Sequence, residues 1–317
     1  MRLLRWLVLV LMAGNTAAFA QGNYPDRPIK MIVPLAAASA VDVAARIVMQ
    51  KMGRQIVVLN QPGASGLIGA EQVARAAPDG YTIGGFNDSV MTMVPNLQTH
   101  MRWDILKDFA PISLVATVEW GLIAGNQTSY KSAADLITAA KAAPGKIDYA
   151  SGGPGSPQHL AMAIFASSAG INLMHVPYKG ATQAAADVVA GQIPVAFQGL
   201  GTVAAMVRGG QVRLIAVCTE KRLPSFPDVP TVNESGLPGY FFNSWFAMLA
   251  PAGTPKAIID RLNAEVLKAL GDSDLRHKLE ELGFAVRGSS PEELGSMTRD
   301  QLAKYARVIK DMGISNE

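Results

Sequence analysis

The stretch Tyr149-Ala-Ser-Gly-Gly-Pro-Gly-Ser-Pro-Gln-His-Leu160 decides how this chain is expected to fold. It predicts a strand over residues 146–150, a glycine-rich turn, and a helix that begins near Ser156. Ser156 suits the N-cap, and Pro157 suits the first helical position, where a missing N–H is tolerated. Glycines let the turn direct its N–H groups to one point, and the helix dipole adds positive potential there. The pattern therefore predicts an anion site, although an ordinary strand–helix turn has a similar composition.

A second strand-to-helix turn of this kind lies near the start of the chain. Residues 29–35 predict a strand, residues 36–42 read Ala-Ala-Ala-Ser-Ala-Val-Asp, and a helix is expected to run to about Met52. Two such turns, each with exposed backbone N–H groups, are able to hold one carboxylate-bearing ligand from opposite sides.

Strand-type and helix-type segments alternate from residue 29 almost to the end of the chain. This alternation favours α/β layers with a largely parallel sheet. Two extended passages, residues 112–124 and 242–250, enclose a complete α/β set. We therefore expect two α/β domains joined by two extended crossovers, with a cleft between them. Lobe 1 would comprise residues 21–124 and 247–317, and lobe 2 residues 125–246; ligands in such sheets bind beyond the carboxyl ends of strands.

The N-terminus has the pattern of an export signal. Arg2 and Arg5 flank an apolar run, and Ala18-Phe-Ala20 forms a cleavage motif before Gln21. We expect residues 1–20 to be a signal peptide that directs the chain to the periplasm, and an uncleaved anchor is the alternative. The remaining chain has no apolar run of membrane-spanning length. Its single cysteine, Cys218, has no partner for an intrachain disulfide.

Charge and motifs argue against several functional classes. Of 28 basic residues, Arg2 and Arg5 leave with the signal, so 26 basic residues stand against 25 acidic ones. The sequence contains no cluster of basic residues of the kind that nucleic-acid-binding proteins have. The chain has no G-x-S-x-G nucleophile elbow, no dinucleotide-binding G-x-G-x-x-G and no P-loop, and its four histidines fall in no metal-ligand spacing. We therefore expect no enzyme, no catalytic residues, no cofactor and no metal.

Short fragments spread along the chain from about residue 24 carry a resemblance to a known family. They are Ile32-Val-Pro34, Asn60-Gln-Pro-Gly63, Ala77-Pro-Asp-Gly-Tyr-Thr82, Lys107-Asp-Phe-Ala-Pro111, Tyr149-Ala-Ser151, His175-Val-Pro-Tyr-Lys-Gly180, Asp228-Val-Pro-Thr231, Gly236-Leu-Pro-Gly239 and Leu249-Ala-Pro-Ala-Gly-Thr-Pro255. With these fragments in register, the chain resembles the Bug-type (TctC-like) periplasmic solute-binding proteins of tripartite tricarboxylate transporters.

The resemblance implies a two-lobed Venus-flytrap fold that closes on a small carboxylate and performs no chemistry on it. It also implies delivery to membrane permease subunits, and we expect a monomer. A periplasmic sensor that signals to a two-component kinase would share the fold and the binding event, so this alternative stays open. The family usually writes its first anion loop Pro-Pro-Gly-Gly-Ser-Thr-Asp, and in the matching residues 36–42 only Asp42 is retained.

Candidate ligand-binding residues come from both loops and from the ends of neighbouring strands. They are Ala37, Ala38, Ser39, Ala40, Asn87, Asp88, Ser89, Ser151, Gly153, Gly155, Ser156, His159, Tyr178, Gln198, Gly199 and Trp245.

Several candidates have two possible roles. Ser151 and Ser156 are either hydroxyl donors to a carboxylate or plain turn residues. His159 either contacts ligand or packs under its own loop. Asp88 either turns to solvent or meets an ammonium or hydroxyl group of the ligand. Trp245 is either hinge core or a stacking wall.

The first loop also bears on which carboxylate is bound. Methyl groups stand where the family has hydroxyl donors, and a hydroxylated tricarboxylate such as citrate needs a partner for each polar group. We therefore expect a mono- or dicarboxylate with an apolar or aromatic body. If Asp88 recruits an amino group, the ligand is an acidic amino acid instead.

Overall fold

The computed structural model describes residues 24–53, 56–98 and 100–311. The strands are β1 Ile29–Val33, β2 Ile56–Asn60, β3 Thr82–Asn87, β4 Phe109–Ala124, β5 Asp148–Ser151, β6 Met174–Pro177, β7 Val195–Gly199, β8 Arg213–Val217, β9 Asn243–Pro251 and β10 Phe284–Val286. The α-helices are α1 Ala40–Lys51, α2 Leu67–Ala74, α3 Ala133–Ala142, α4 Pro157–Ala169, α5 Ala181–Val189, α6 Leu200–Arg208, α7 Lys256–Leu270, α8 Ser273–Glu281 and α9 Pro291–Asp311. The expected signal peptide lies outside the described residues.

The strands form one extended sheet in the order β2-β1-β3-β9-β4-β7-β5-β6, with β8 and β10 also pairing with β4. We use "first lobe" for the part built on β1, β2, β3, β9 and β10, and "second lobe" for the part built on β5 to β8. The long strand β4 belongs to both. Its early residues pair with β9 and β10, whereas Trp120–Ala124 pair with β7.

The pairing corrects the expectation of a largely parallel sheet. β1 runs parallel to β2 and β3, and β5 runs parallel to β6 and β7, as right-handed βαβ crossovers require. Every pairing that involves β4 or β9 is antiparallel. These two strands were recognised as extended crossovers, but their return direction cannot be read from composition. The short strand β10 was not predicted, because three residues give no periodicity.

Helices pack against the sheet, and one cluster of buried apolar side chains extends from the first lobe into the second through the hinge, the region where β4 and β9 pass between the lobes. Trp120 on β4 packs edge-to-face on Phe242, with ring centroids 5.2 Å apart, and the Trp120 indole N–H donates to Ser244 Oγ at 2.8 Å. All three residues are buried. The hinge is therefore a packed extension of the core rather than a solvated linker. Within the described ranges, no helix is long and apolar enough to cross a membrane.

Candidate functional site

A cavity lies between the lobes, where several helices begin. The N-cap residues of four helices line it: Ser39 of α1, Ser156 of α4, Gly180 of α5 and Gly199 of α6. The first N–H groups of a helix have no partner within it, and the dipole makes that end positive. Four such ends around one cavity make it suitable for an anion.

The side chains that line this inner cavity divide into polar groups and an apolar wall. The polar groups include Ser39, Asn87, Ser89, Ser156, Gln158, Thr202 and Ser244, and the wall includes Leu35, Ala40, Val41, Val118 and Trp120. Asn87 is buried, and its Oδ1 accepts from Val90 N–H at 3.1 Å. Its Nδ2 has no hydrogen-bond partner among the described residues. The cavity therefore offers an amide donor besides the helix ends.

A second, outer compartment adjoins the inner cavity. Both compartments share Ala36, Pro62, Gly63, Ser65, Gly152, Lys179 and Gly180, and the outer one adds Gly153, Pro154, Tyr178 and Gln183 among others. The cleft thus consists of an inner part and an outer part, which we call the mouth, and the two share one boundary.

Three side-chain hydroxyls bridge the lobes across this cleft. Ser65 Oγ donates to the Pro154 carbonyl at 3.0 Å, and Ser89 Oγ donates to the Gly155 carbonyl at 3.1 Å. From the second lobe, Thr182 Oγ1 donates to the Ala37 carbonyl at 2.9 Å. These bonds can form only when the lobes lie against each other, so the structure is a closed state.

The first-lobe loop, residues 36–39, is held by a buried carboxylate. Asp42 Oδ2 accepts from Ala38 N–H at 2.8 Å, and Asp42 Oδ1 accepts from Arg46 Nε and Asn60 Nδ2, each at 3.0 Å. Ala38 has a φ of 59°, a left-handed conformation that is costly for a residue with a Cβ. Asp42, the residue retained from the family loop, therefore holds the loop without itself lining the cavity, while Ser39 at the start of α1 does line it.

The second-lobe loop, residues 152–156, is held by hydrogen bonds within itself. Gly153 N–H donates to Ser151 Oγ at 3.1 Å, and Gly155 N–H donates to His159 Nδ1 at 3.1 Å. Both glycines have positive φ, 110° and 72°. Two N–H groups that the sequence assigned to the ligand are thus used to shape the loop. At the start of α4, Ser156 and Gln158 are the polar residues that line the cavity.

A stack of three rings supports this loop. The His159 and His175 rings lie 4.3 Å apart and 2° from parallel, and Tyr149 stacks on His175 at 4.9 Å. Ser151 Oγ lies 2.5 Å from His175 Nε2. Burial lowers the pKa of both imidazoles, that of His175 to about 4, where neighbouring His159 adds to the effect. Because His159 Nδ1 accepts a hydrogen bond, the ring is neutral when the loop is formed.

Asp88 faces neither solvent nor either compartment. Its carboxyl group is fully buried, and neither oxygen has a hydrogen-bond partner among the residues that the structure describes. Burial raises its pKa to about 8, although the nearby Ser89 and Trp245 backbone N–H groups and Lys304 on α9 oppose the shift. Trp245 is also buried, in an apolar cluster with Phe86 and Phe109. The placement of both side chains is that of core residues.

The structure brings half of the sequence candidates to the cleft. Ser39, Ala40, Asn87, Ser89, Ser156 and Gly199 line the inner cavity, and Gly153 and Tyr178 line the mouth. Ala37, Ala38, Asp88, Ser151, Gly155, His159, Gln198 and Trp245 do not line either part. Gln198 lies directly behind the wall, because its Oε1 accepts from Gln158 Nε2 at 3.3 Å and its Nε2 donates to the Ala181 carbonyl at 3.2 Å.

Sequence reasoning missed several lining residues. Gln158 follows the predicted N-cap by two positions, so the helix start itself was the available signal. Lys179 belongs to the family fragment His175–Gly180, but nothing in the sequence assigned a role to it. Trp120 lies in a strand that was read as a passive crossover, and only its pairing shows that the strand forms the cavity wall.

Residues 41–314 match the model of the tripartite tricarboxylate transporter family receptor, TctC. The chain belongs to this family. It is 34% identical over 313 residues to a protein encoded in the tcbD–tcbE intergenic region of Pseudomonas sp. (strain P51), covering 97% of this chain and 93% of that one. It is 30% identical over 311 residues to BugT of Bordetella pertussis, covering 96% and 95%.

Solved structures of relatives share the fold. Periplasmic binding protein BugD is 32% identical with a TM-score of 0.87, covering 92% of this chain and 99% of its own. Rpa4515 of Rhodopseudomonas palustris, solved with adipate, is 31% identical with a TM-score of 0.90 and the same coverage. MatC of that organism, with bound malate, is 28% identical with a TM-score of 0.84, covering 90% and 100%. Family members are solute-binding proteins rather than enzymes, and their fold is two-lobed.

Proposed function

We propose that this chain is a periplasmic receptor that captures a small carboxylate between its lobes and delivers it to the permease of a tripartite transporter. One observation carries the proposal: the N-terminal ends of four helices line a single cavity that has no acidic side chain in its lining. Two structural relatives were solved with small carboxylates, adipate and malate, which supports a ligand of this class.

The inner cavity favours a carboxylate with an apolar body. Val118 and Trp120 supply one apolar wall, and burial of each CH₂ group contributes about 0.8 kcal/mol. An acidic amino acid would place an ammonium group where no described carboxylate lines the cavity, since Asp88 lies in the core. A citrate-like tricarboxylate would need three anionic subsites. We therefore rank an apolar dicarboxylate or monocarboxylate first.

Thermal unfolding and tryptophan fluorescence test the binding proposal together. A ligand at a hundredfold excess over its Kd raises the free energy of unfolding by about 2.7 kcal/mol. We expect adipate-like and aromatic acids to raise the melting temperature of the mature protein and to change the emission of Trp120. The Trp120→Phe variant should lose most of the emission change and keep the thermal shift, because Trp103 and Trp245 lie in the core. No shift with dicarboxylates, monocarboxylates, citrate or glutamate would contradict carboxylate binding.

Delivery to a permease is tested separately. Deletion of the gene should abolish uptake of the labelled ligand by cells, and the tagged receptor should co-purify with permease subunits after cross-linking. Co-purification with a kinase ectodomain and unchanged uptake would instead identify a sensor.

Export is tested by mass spectrometry of the periplasmic fraction. The Arg-flanked apolar run and Ala18-Phe-Ala20 predict a mature chain that begins at Gln21. Recovery of material that still carries Met1 would contradict removal of residues 1–20.

A further inference from the structure

One formal charge stands out in the cleft. Among the described residues that line the inner cavity or its mouth, the single ionisable side chain charged at neutral pH is Lys179. It lines both compartments, so it lies at their shared boundary. Every other polar contact the cleft offers comes from neutral hydroxyls, amides and helix ends.

The segment that carries Lys179 is firmly placed. Tyr178 N–H donates to the Ser151 carbonyl at 2.9 Å, and the Tyr178 hydroxyl donates to Asp187 Oδ2 at 2.6 Å. Gly180 follows directly, and a Cβ there would lie 3.1 Å from the Ala36 methyl of the first lobe. The backbone at Lys179 is thus held by the bonds of Tyr178 on one side and by the contact of Gly180 with the first lobe on the other.

The ammonium group of Lys179 has no acidic partner within the described part of the chain. Asp187, the acid next to this segment, accepts from Tyr178 and forms no ion pair with Lys179. The Lys179 side chain is exposed. An exposed, unpaired lysine at a cleft mouth is free to meet a charged group of an incoming ligand.

We propose that Lys179 binds a second anionic group of the ligand at the boundary between the two compartments, so that the cleft selects dianions over monoanions of the same length. This inference rests on the proposed function, and it adds where the second charge is bound. The helix ends hold one carboxylate in the inner cavity. The apolar wall contacts the carbon chain, and the far carboxylate meets Lys179.

Isothermal titration with matched ligand pairs tests this assignment. The pairs are dicarboxylates of four, six and eight carbons and the monocarboxylates of equal length, for example adipate and hexanoate. We expect the wild-type protein to bind the best dicarboxylate about tenfold more tightly than its monocarboxylate, the range of one charge-assisted hydrogen bond. Lys179→Met should remove this preference and leave monocarboxylate affinity unchanged. Lys179→Arg should retain it, because the charge is kept.

Two controls separate a specific contact from a general one. Lys146→Met removes an exposed lysine that does not line the cleft and should leave both affinities unchanged. Raising the ionic strength from about 20 mM to about 300 mM should reduce the dicarboxylate preference of the wild-type protein, since the exposed charge is screened, and should not affect Lys179→Met.

The outcomes distinguish the two proposals. Equal binding of dicarboxylates and monocarboxylates by the wild-type protein, or an equal loss of both in Lys179→Met, overturns the role of Lys179 and leaves carboxylate binding in place. Binding of neither series by the wild-type protein overturns the role of Lys179, and if aromatic acids, citrate and glutamate also fail to bind, carboxylate binding is overturned as well.

Discussion

The two lobes bring the same device to the cleft, a helix that begins at a serine, and stabilise it by different chemistry. In the first lobe, the loop before α1 is held by Asp42, a buried carboxylate paired with Arg46 and Asn60. In the second lobe, the loop before α4 is held by neutral imidazole rings. The loop before a helix that faces an anion site can therefore be held either by a charged, paired carboxylate or by uncharged stacked rings.

The lobes also differ in their buried titratable groups, which give them opposite responses to pH. Beside the cleft, the first lobe buries Asp88, whose pKa is raised to about 8. Its protonated form is favoured in the folded state, so stability is lost as pH rises from about 4 to about 8. The second lobe buries His159 and His175, whose pKa values are lowered. Their charged forms are disfavoured in the folded state, so stability is lost as pH falls below about 6.5.

The largest expected effect comes from removing the Asp88 charge. Asp88→Asn keeps the shape of the side chain and cannot ionise, so the cost of keeping the carboxyl protonated, or of burying it charged, disappears. We expect the free energy of unfolding at pH 8 to rise by about 3 kcal/mol, with a much smaller change at pH 4. Urea unfolding at both pH values measures this. Asp300→Asn, at an exposed position in the middle of α9, is the matched control. An equal shift at both pH values in Asp88→Asn would refute the titration of Asp88.

Gly153→Ala attacks the second-lobe loop directly. A φ of 110° is closed to residues with a Cβ, and that Cβ would lie 3.1 Å from the Tyr178 carbonyl oxygen. We expect a loss of about 2 kcal/mol of stability and at least a tenfold loss of ligand affinity. Gly170→Ala is the control, because Gly170 ends α4 away from the cleft with open space around it. It should reduce stability by about 1 kcal/mol and leave affinity unchanged. Equal affinity losses in both variants would show that the loop shape is not what the ligand requires.

The lobes also differ in how far the sequence predicted them. In the second lobe, α4 begins where the sequence placed it, because Ser156 and Pro157 mark its start. In the first lobe, the turn of residues 89–93 after β3 is a π-helix that no local pattern indicated. It carries the buried Asp88 at its start and packs against α9, more than 200 residues further along the chain. Such placement depends on tertiary contacts and not on periodicity.

The residues of the candidate site that lie at a helix start could be predicted from the sequence. Trp120, which lies on a strand, and Lys179, the charged residue of the cleft, could not. Ser156 was identified because an N-cap has a sequence signature, and Ser39 because it lies in the turn before α1. Ser151 and His159 each had two possible roles, and their polar atoms are used by the loop. One sequence cannot show whether a donor near a helix end faces outward or is satisfied within the turn.

Acid should weaken the second lobe through His175. Its pKa of about 4 in the folded state means that the unfolded chain takes up the proton first as pH falls from about 6.5 to 4. Since the ring is only partly buried, we expect a discounted loss of about 1–2 kcal/mol over that range. His175→Phe keeps the stacked ring and should flatten this part of the stability profile. His100→Gln, an exposed site outside the stack, should leave it unchanged. A profile of His175→Phe that still falls as steeply would assign the acid sensitivity to other groups.

The smallest expected effect concerns the first-lobe loop and has the opposite sign. Ala38 adopts a left-handed φ of 59° at the position where the family writes glycine. A Cβ in this conformation costs about 1–2 kcal/mol, whereas glycine adds about 0.5–1 kcal/mol of chain entropy to the unfolded state. Ala38→Gly should therefore stabilise the protein by about 0.5–1 kcal/mol, measured by urea unfolding. Residue 38 donates its backbone N–H to the Asp42 carboxylate, and this bond should survive the substitution, so ligand affinity should not fall. A destabilised Ala38→Gly variant would mean that the first-lobe loop leaves this conformation in solution. Asp42 would then hold the first-lobe loop less firmly than the stacked rings hold the second-lobe loop.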